Sequence, residues 1–178
     1  MRIIGGIHRG RFIVPPKNFS ARPTTDFAKE GLFNTLTNTY NFEEVSVLDL
    51  FSGTGGITYE FASRGCTSIT SVEMNALHSN FIKSTITKLN LKGVHSVRHN
   101  VFDFLDICRL NYDIIFADPP YDIDNLAQIP NKILAANILK EGGVIIFEHP
   151  AAFSFKDHPN FVKEKKYGNV HFSFFGKQ

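Results

Sequence analysis

The stretch Val47-Leu48-Asp49-Leu50-Phe51-Ser52-Gly53-Thr54-Gly55-Gly56 decides the fold. Its first half, led by Ser46, is a short apolar run of strand type; its second half is a glycine-rich turn. A helix should follow and stop at Arg64-Gly65, since glycine is the usual residue past a helix end. A buried strand that runs through a glycine turn into a helix opens a parallel α/β sheet.

The same pattern repeats downstream. Ile69 to Val72 reads as a second strand ending at Glu73, and residues 75–90 as a long helix. Val94 to His99 and Tyr112 to Ala117 give two more strands, Asp124 to Asn137 a helix, and Val144 to Phe147 a fifth strand after Gly142-Gly143. Phe161 to Tyr167 and Val170 to Phe175 flank Gly168-Asn169, a hairpin signal. Upstream, Arg2-Ile3-Ile4 and Arg11-Phe12-Ile13-Val14 read as two short strands around Gly5-Gly6, stopped by Pro15-Pro16. Thr24 or Thr25 then caps a helix with Asp26 in its first turn, and Phe27, Leu32, Phe33 and Leu36 form its apolar face. The expectation is one α/β domain with a mostly parallel seven-stranded sheet whose last strand is antiparallel.

Length and composition agree. The 178 residues are 43% apolar and 20% charged, enough for one self-sufficient core. No apolar run approaches the ~20 residues of a membrane span. Cys66 and Cys108, the two cysteines, show no metal spacing, and both read as reduced core residues of a cytoplasmic protein. Residues 1–22 hold Arg2, Arg9, Arg11, Lys17 and Arg22 without an acid, a charge of +5. Residues 156–178 carry +3 against a chain total of +2, so residues 23–155 carry −6. Basic ends beside an acidic middle suit a polyanion held next to a separate site. Solvated termini would give the same arithmetic.

Two motifs carry chemistry. In the first, glycines at 53 and 55 let the backbone approach a ligand, and Glu73 stands 20 residues after Gly53, where its carboxylate can accept both hydroxyls of a ribose. The pair suits NAD and S-adenosylmethionine alike. Thr58 stands where the dinucleotide fingerprint wants glycine or alanine, and Asp49 suits the cationic methionine end better than a pyrophosphate. Both details favour S-adenosylmethionine. The second motif is Asp118-Pro119-Pro120-Tyr121 at the end of the fourth strand. Two prolines remove two N–H donors, so the loop presents acceptors, the Asp118 carboxylate and the Pro119 carbonyl. Two acceptors holding the hydrogens of a nucleobase amine bend it toward tetrahedral geometry and free its lone pair to attack a methyl sulfonium. Tyr121 can stack on a flipped or unpaired base, a role that leaves its hydroxyl dispensable.

The chain resembles the amino-methyltransferases that carry Asp/Asn-Pro-Pro-Tyr/Phe. Arg2-Ile3-Ile4, Gly6, Arg9-Gly10-Arg11, Arg22-Pro23-Thr24-Thr25-Asp26, Glu30 and Leu32-Phe33-Asn34 narrow the likeness to the RsmD-type rRNA guanine-N2 methyltransferases. Leu48 to Gly55, Ser63-Arg64-Gly65, Phe104-Leu105 and Tyr167-Gly168 extend it over almost the whole chain. The resemblance implies the S-adenosylmethionine-dependent Rossmann-like fold, with residues 1–40 as an RNA-facing extension packed on the core and 41–178 as the methyltransferase domain. It implies methylation of the N2 amine of one guanine in 16S rRNA, within a bacterial small subunit or its assembly intermediate, by a monomer without a metal.

Carried over by position, Asp49, Phe51, Ser52, Gly53 and Gly55 hold the methionine half and Glu73 with Met74 the ribose. Asn100 meets the adenine amine, completed by Val101 and Phe102, with Asp103 as the competing acid. Asp118, Pro119, Pro120 and Tyr121 are the catalytic set. Arg2, Arg9, Arg11, Arg22 and Lys29 are the RNA contacts. Lys29 stands where the family often has arginine, which retains the charge and loses the bidentate fork.

Three other readings stay open on the residues: a DNA adenine or cytosine amino-methyltransferase, a non-catalytic RNA-binding factor on the same fold, and an NAD-linked oxidoreductase. The first needs a target-recognition segment for which 178 residues leave little room. The intact Asp118 motif and Glu73 weigh against the second, and Thr58 against the third. His99 and His149 read as rim or core residues, Phe172 and Phe174 as sheet core, and Lys163, Lys165 and Lys166 as a solvated face. Glu148 ends the fifth strand and reads equally as a site residue or a loop cap.

Overall fold

The structure, a computed structural model, describes residues 1–17, 19 and 24–177. Its elements run α1 (Asp26–Thr37), β1 (Val47–Leu50), α2 (Gly56–Ser63), β2 (Ile69–Glu73), α3 (Ala76–Lys88), β3 (Val94–Arg98), α4 (Val101–Ile107), β4 (Tyr112–Ala117), a 3₁₀ turn (Leu126–Gln128), α5 (Ile129–Ala135), β5 (Leu139–His149), β6 (Phe161–Tyr167) and β7 (Val170–Gly176). The strands form one sheet in the order β3-β2-β1-β4-β5-β7-β6. β1 to β5 pair in parallel, and β7 pairs antiparallel with both β5 and β6. The chain reverses its direction of travel across the sheet between β1 and β4, and open α/β sheets bind ligands outside the strand ends at that place.

Apolar side chains cover both faces of the sheet. On one face Phe33, Phe42 and Phe61 pack edge-on, with ring centroids 4.7–5.8 Å apart. Ile3, Ile13, Leu32 and Leu36 join the same cluster, so the N-terminal segment shares the core. On the other face Val101, Leu105, Ile129 and Ile133 of α4 and α5 pack on Leu48, Leu50, Ile115 and Phe147. β7 is buried from His171 to Phe175, with Phe172 and Phe174 in the core, while β6 turns Lys163, Lys165 and Lys166 to solvent. No helix among the described residues is long and apolar enough to cross a membrane.

Five expectations change. The two N-terminal strands reduce to one bridge, Arg2 to Phe12, because the Gly6 and Gly10 backbones turn to φ of 73° and 83°. Thr25 does cap α1, accepting from the Ala28 amide at 3.2 Å, but Phe27 faces solvent and Ala28 and Lys29 turn inward. Residues 124–137 split into a 3₁₀ turn and α5, with Pro130 in the first turn of α5. α4 was absent from the sequence pattern; Asn100 caps it, accepting from the Phe102 and Asp103 amides. β5 begins at Leu139, ahead of the glycine pair that reads as its boundary.

Candidate active site

β1 and β4 lie side by side, with Leu50 paired to Ala117, so the Phe51–Gly55 and Asp118–Tyr121 loops leave the sheet together. The Asp118 amide donates to the Leu50 carbonyl at 3.5 Å and ties one loop to the other. They open onto a cavity of about 640 Å³, within the range of small-molecule sites. Every predicted cofactor residue except Gly55 lines it, and so do all four residues of the Asp118 motif.

The first loop is held by its own polar groups. The Ser52 hydroxyl donates to the Asp49 carbonyl at 2.7 Å and the Ser71 hydroxyl donates to Ser52 at 2.8 Å. Phe51 adopts a left-handed φ of 58°, which costs energy for a side chain of this size and marks a strained turn at the site. Gly55, at φ 84°, caps α2, and a Cβ there would strike the Tyr59 ring at 2.5 Å. This glycine serves packing as well as ligand approach.

Asp49 is 1% exposed. One of its oxygens accepts from the Thr58 amide at 3.1 Å and the Thr58 hydroxyl at 2.5 Å. The carboxylate therefore fills the anion position at the start of α2, where a dinucleotide would put its pyrophosphate. Burial pushes its pKa up to about 7, the Thr58 bonds hold it down, and Glu73 adds to the rise. Glu73 accepts from the Gly53 amide at 2.8 Å and the Asn75 amide at 2.7 Å, one on each oxygen. A lone pair remains on each oxygen, so the carboxylate is already aimed and can still accept two hydroxyls. Asn100 commits its side-chain oxygen to the α4 cap and points its amide nitrogen at the Met74 sulfur, 3.6 Å away. Asn100 lines the cavity and Asp103 does not.

In the same cavity Asp118 is half-buried and Glu148 is 5% exposed. Burial raises the Asp118 pKa well above the usual carboxylate range, and the charges of Glu148 and Asp49 add to it. Burial pushes Glu148 up to about 7 against hydrogen bonds from the hydroxyls of Tyr121, at 3.3 Å, and Thr24, at 3.4 Å. The Tyr121 hydroxyl, expected to be dispensable, thus has a partner in the site. Glu148 faces the site instead of capping a loop. His149 is fully buried, its Nε2 2.8 Å from the Ser173 hydroxyl, and takes no part.

The proposed RNA contacts divide. Arg9 and Arg11 are exposed, and Arg2 is exposed but paired with Asp26 at 3.0 Å. Arg22 lies outside the described residues. Lys29 is corrected: it is 2% exposed, its amine donates to the Arg2 carbonyl, and Asp26 and Glu60 stand 3.6 Å and 4.0 Å away. A buried, fully partnered ammonium offers nothing to a phosphate. Sequence reasoning missed its partner Glu60, 0% exposed, which also accepts from the Ile4 amide at 3.0 Å and pairs with Arg64 at 3.0 Å. An acid on a helix with few exposed positions was the available signal.

Four carboxylates, Asp49, Glu73, Asp118 and Glu148, therefore line one cavity. None of them forms an ion pair with a lysine or arginine among the described residues. No group of three or more His, Cys, Asp or Glu side chains there could hold a metal ion. The donor set suits a ligand that carries a positive charge and ribose hydroxyls, and S-adenosylmethionine carries both.

Comparison with known proteins agrees with this geometry. Over 179 aligned residues the chain is 32% identical to ribosomal RNA small subunit methyltransferase D of Buchnera aphidicola, covering 98% of this chain and 91% of that one. The solved structure of a putative methyltransferase, yhhF, from Escherichia coli superposes with a TM-score of 0.85 at 28% identity, covering 100% and 99% of the two chains. A Thermus thermophilus 16S rRNA N2 G1207 methyltransferase shares the fold, with a TM-score of 0.70 at 21% identity over 90% of this chain and 45% of that one. The family model described as conserved hypothetical protein 95 matches residues 1–176, and the chain belongs to that family, together with the small subunit methyltransferase D proteins.

Proposed function

We propose that the protein transfers a methyl group from S-adenosylmethionine to the N2 amine of a guanine in small-subunit rRNA. One observation carries the reading: a ribose-type acceptor, Glu73, and an amine-type acceptor loop, Asp118 to Tyr121, line one cavity. The name of the Buchnera relative supplies the RNA.

Asp49, through charge, and Phe51, Ser52 and Gly53, by contact, hold the methionine half. Glu73 takes the ribose, with Met74, Asn100, Val101 and Phe102 around the adenine. When bound, S-adenosylmethionine supplies a sulfonium-borne methyl open to in-line attack. Asp118 and the Pro119 carbonyl accept the two amine hydrogens and draw the nitrogen lone pair out of conjugation. Asp118 then offsets the positive charge that grows on that nitrogen, an interaction stronger in the transition state than before it. The N–C bond forms as the methyl–sulfur bond breaks, S-adenosylhomocysteine is the leaving product, and the methylated nitrogen gives its extra proton to the Asp118 carboxylate. Pro120 fixes the loop and Tyr121 stacks on the guanine. Residues 1–40 face the RNA, with Arg9 and Arg11 on its phosphates, and the protein acts as a monomer.

The test offers methyl-labelled S-adenosylmethionine with small subunits, free rRNA or duplex DNA, and identifies the labelled nucleoside after digestion. N2-methylguanosine from rRNA or subunits is the expected product. Label in DNA, or in another nucleoside, overturns the reading.

A further inference from the structure

Glu148 does more than neighbour the reacting loop. Phe147 of β5 pairs with Ala117 of β4, so the next residues, Glu148 still within β5 and Asp118 just past β4, stand at the same level on neighbouring chain segments. Both line the cavity. Two hydroxyls converge on Glu148 from separate segments, Tyr121 on one carboxylate oxygen and Thr24 on the other. Asp118 receives no side-chain donor of this kind among the described residues.

Of the other two buried acids among the described residues, Glu60 is neutralised by Lys29 and Arg64, and Asp49, which lines the same cavity, has the Thr58 donors. Among the described residues Glu148 has hydroxyls alone, which orient its oxygens and supply no opposite charge. A buried carboxylate held this way costs stability, and a hydrogen-bond donor on a bound base would offset that cost. On guanine the atom next to the N2 amine is N1, which carries a hydrogen. A base held with its amine on Asp118 therefore turns a second donor toward the neighbouring carboxylate.

We infer that Glu148 is a specificity-determining residue, accepting a hydrogen bond from N1–H of the target guanine while Asp118 holds the N2 amine. Tyr121 then has two tasks, stacking with its ring and aiming Glu148 with its hydroxyl. The inference rests on the guanine-N2 reading above. Its content is discrimination: a base that keeps the N2 amine but bears a lone pair at N1 meets a carboxylate it cannot bond. Sites built to bond a donor reject analogues that lack it by large factors.

The test replaces the target guanine, once mapped, with 2-aminopurine, which has that pattern. Single-turnover methylation is then compared on the two substrates at about pH 8.5, above the Glu148 pKa of about 7, where the carboxylate form prevails. The wild-type protein should favour guanine by about 10²-fold or more. Glu148→Gln presents an amide that can donate to the N1 lone pair, so the ratio should fall at least tenfold while S-adenosylmethionine affinity stays within about twofold. Tyr121→Phe keeps the ring and should lower the ratio by a smaller factor. Glu148→Gln that binds S-adenosylmethionine normally yet keeps the wild-type ratio overturns the inference. If Glu148→Gln does not fold, an unchanged ratio in Tyr121→Phe does so. Absence of N2-methylguanosine with the wild-type protein instead sinks the guanine reading, and this inference with it.

Discussion

Glu60 and Glu148 are both buried glutamates, and the molecule treats them in opposite ways. Glu60 sits under the N-terminal segment with Lys29, Arg64 and the Ile4 amide around it. Glu148 sits beside Asp118 with two hydroxyls and, among the described residues, no cation. A carboxylate whose charge is met inside the chain holds structure together. A pair whose charge is left unmet, facing a cavity, is arranged for a ligand that brings the missing charge or donors.

The contrast breaks most visibly at Glu60. Glu60→Ala strands the Lys29 ammonium in the core, and losing one partner of a buried pair costs about 3–5 kcal/mol. A urea unfolding midpoint close to wild type would show that the cluster is not the clamp described. The next effect belongs to Asp118. Asp118→Ala should cut the single-turnover rate by about 10²-fold or more, the scale of a lost preorganised polar group, and leave S-adenosylmethionine affinity within a few-fold. Rapid-quench rates equal to wild type would remove Asp118 from the chemistry. Glu73→Ala should weaken S-adenosylmethionine about tenfold or more, since each charge-assisted bond contributes about 1.5–3 kcal/mol. Calorimetry reads this directly, and unchanged affinity would take Glu73 out of the site.

A subtler distinction appears in pH. Burial raises Glu148 from 4.5 to about 7 in the folded protein. A raised carboxyl pKa means that the native state holds a proton the unfolded chain has released, so stability falls as pH rises from about 4.5 to about 7. The melting temperature of the ligand-free protein should decline over that window, and Glu148→Gln should flatten the decline. An identical slope in the variant would assign the titration elsewhere. The smallest change is at the surface. Converting Arg9 and Arg11 to alanine should reduce the salt dependence of RNA binding by about one unit of slope per lost phosphate contact. Equal slopes would leave the segment a scaffold only.

The strand ends and the two loops were legible because each is a short-range pattern, apolar run then turn. Asp118 to Tyr121 and Glu73 could be placed at strand ends from the residues alone. The losses were tertiary. α4 has only seven residues, too few for a helical period to show, and its cap, Asn100, lines the cavity as well. Lys29 looked like a surface cation because Glu60, which holds it, is 31 residues away in sequence. Glu148 stayed ambiguous because Tyr121 and Thr24 meet it from 27 and 124 residues away. No local window contains such partners.

The N-terminal segment finds its hydrogen-bond partners on α2, 55 to 58 residues later: Ile4 on Glu60, His8 on the Ser63 hydroxyl and that hydroxyl on Gly5. During synthesis this basic stretch emerges ahead of α2 and lacks these partners until α2 has followed it out. At about 5–20 residues per second that wait lasts several seconds. Contacts so distant in sequence also close late in refolding. The N-terminal arginines therefore gain their fixed positions only after the turn at Gly53 has been made.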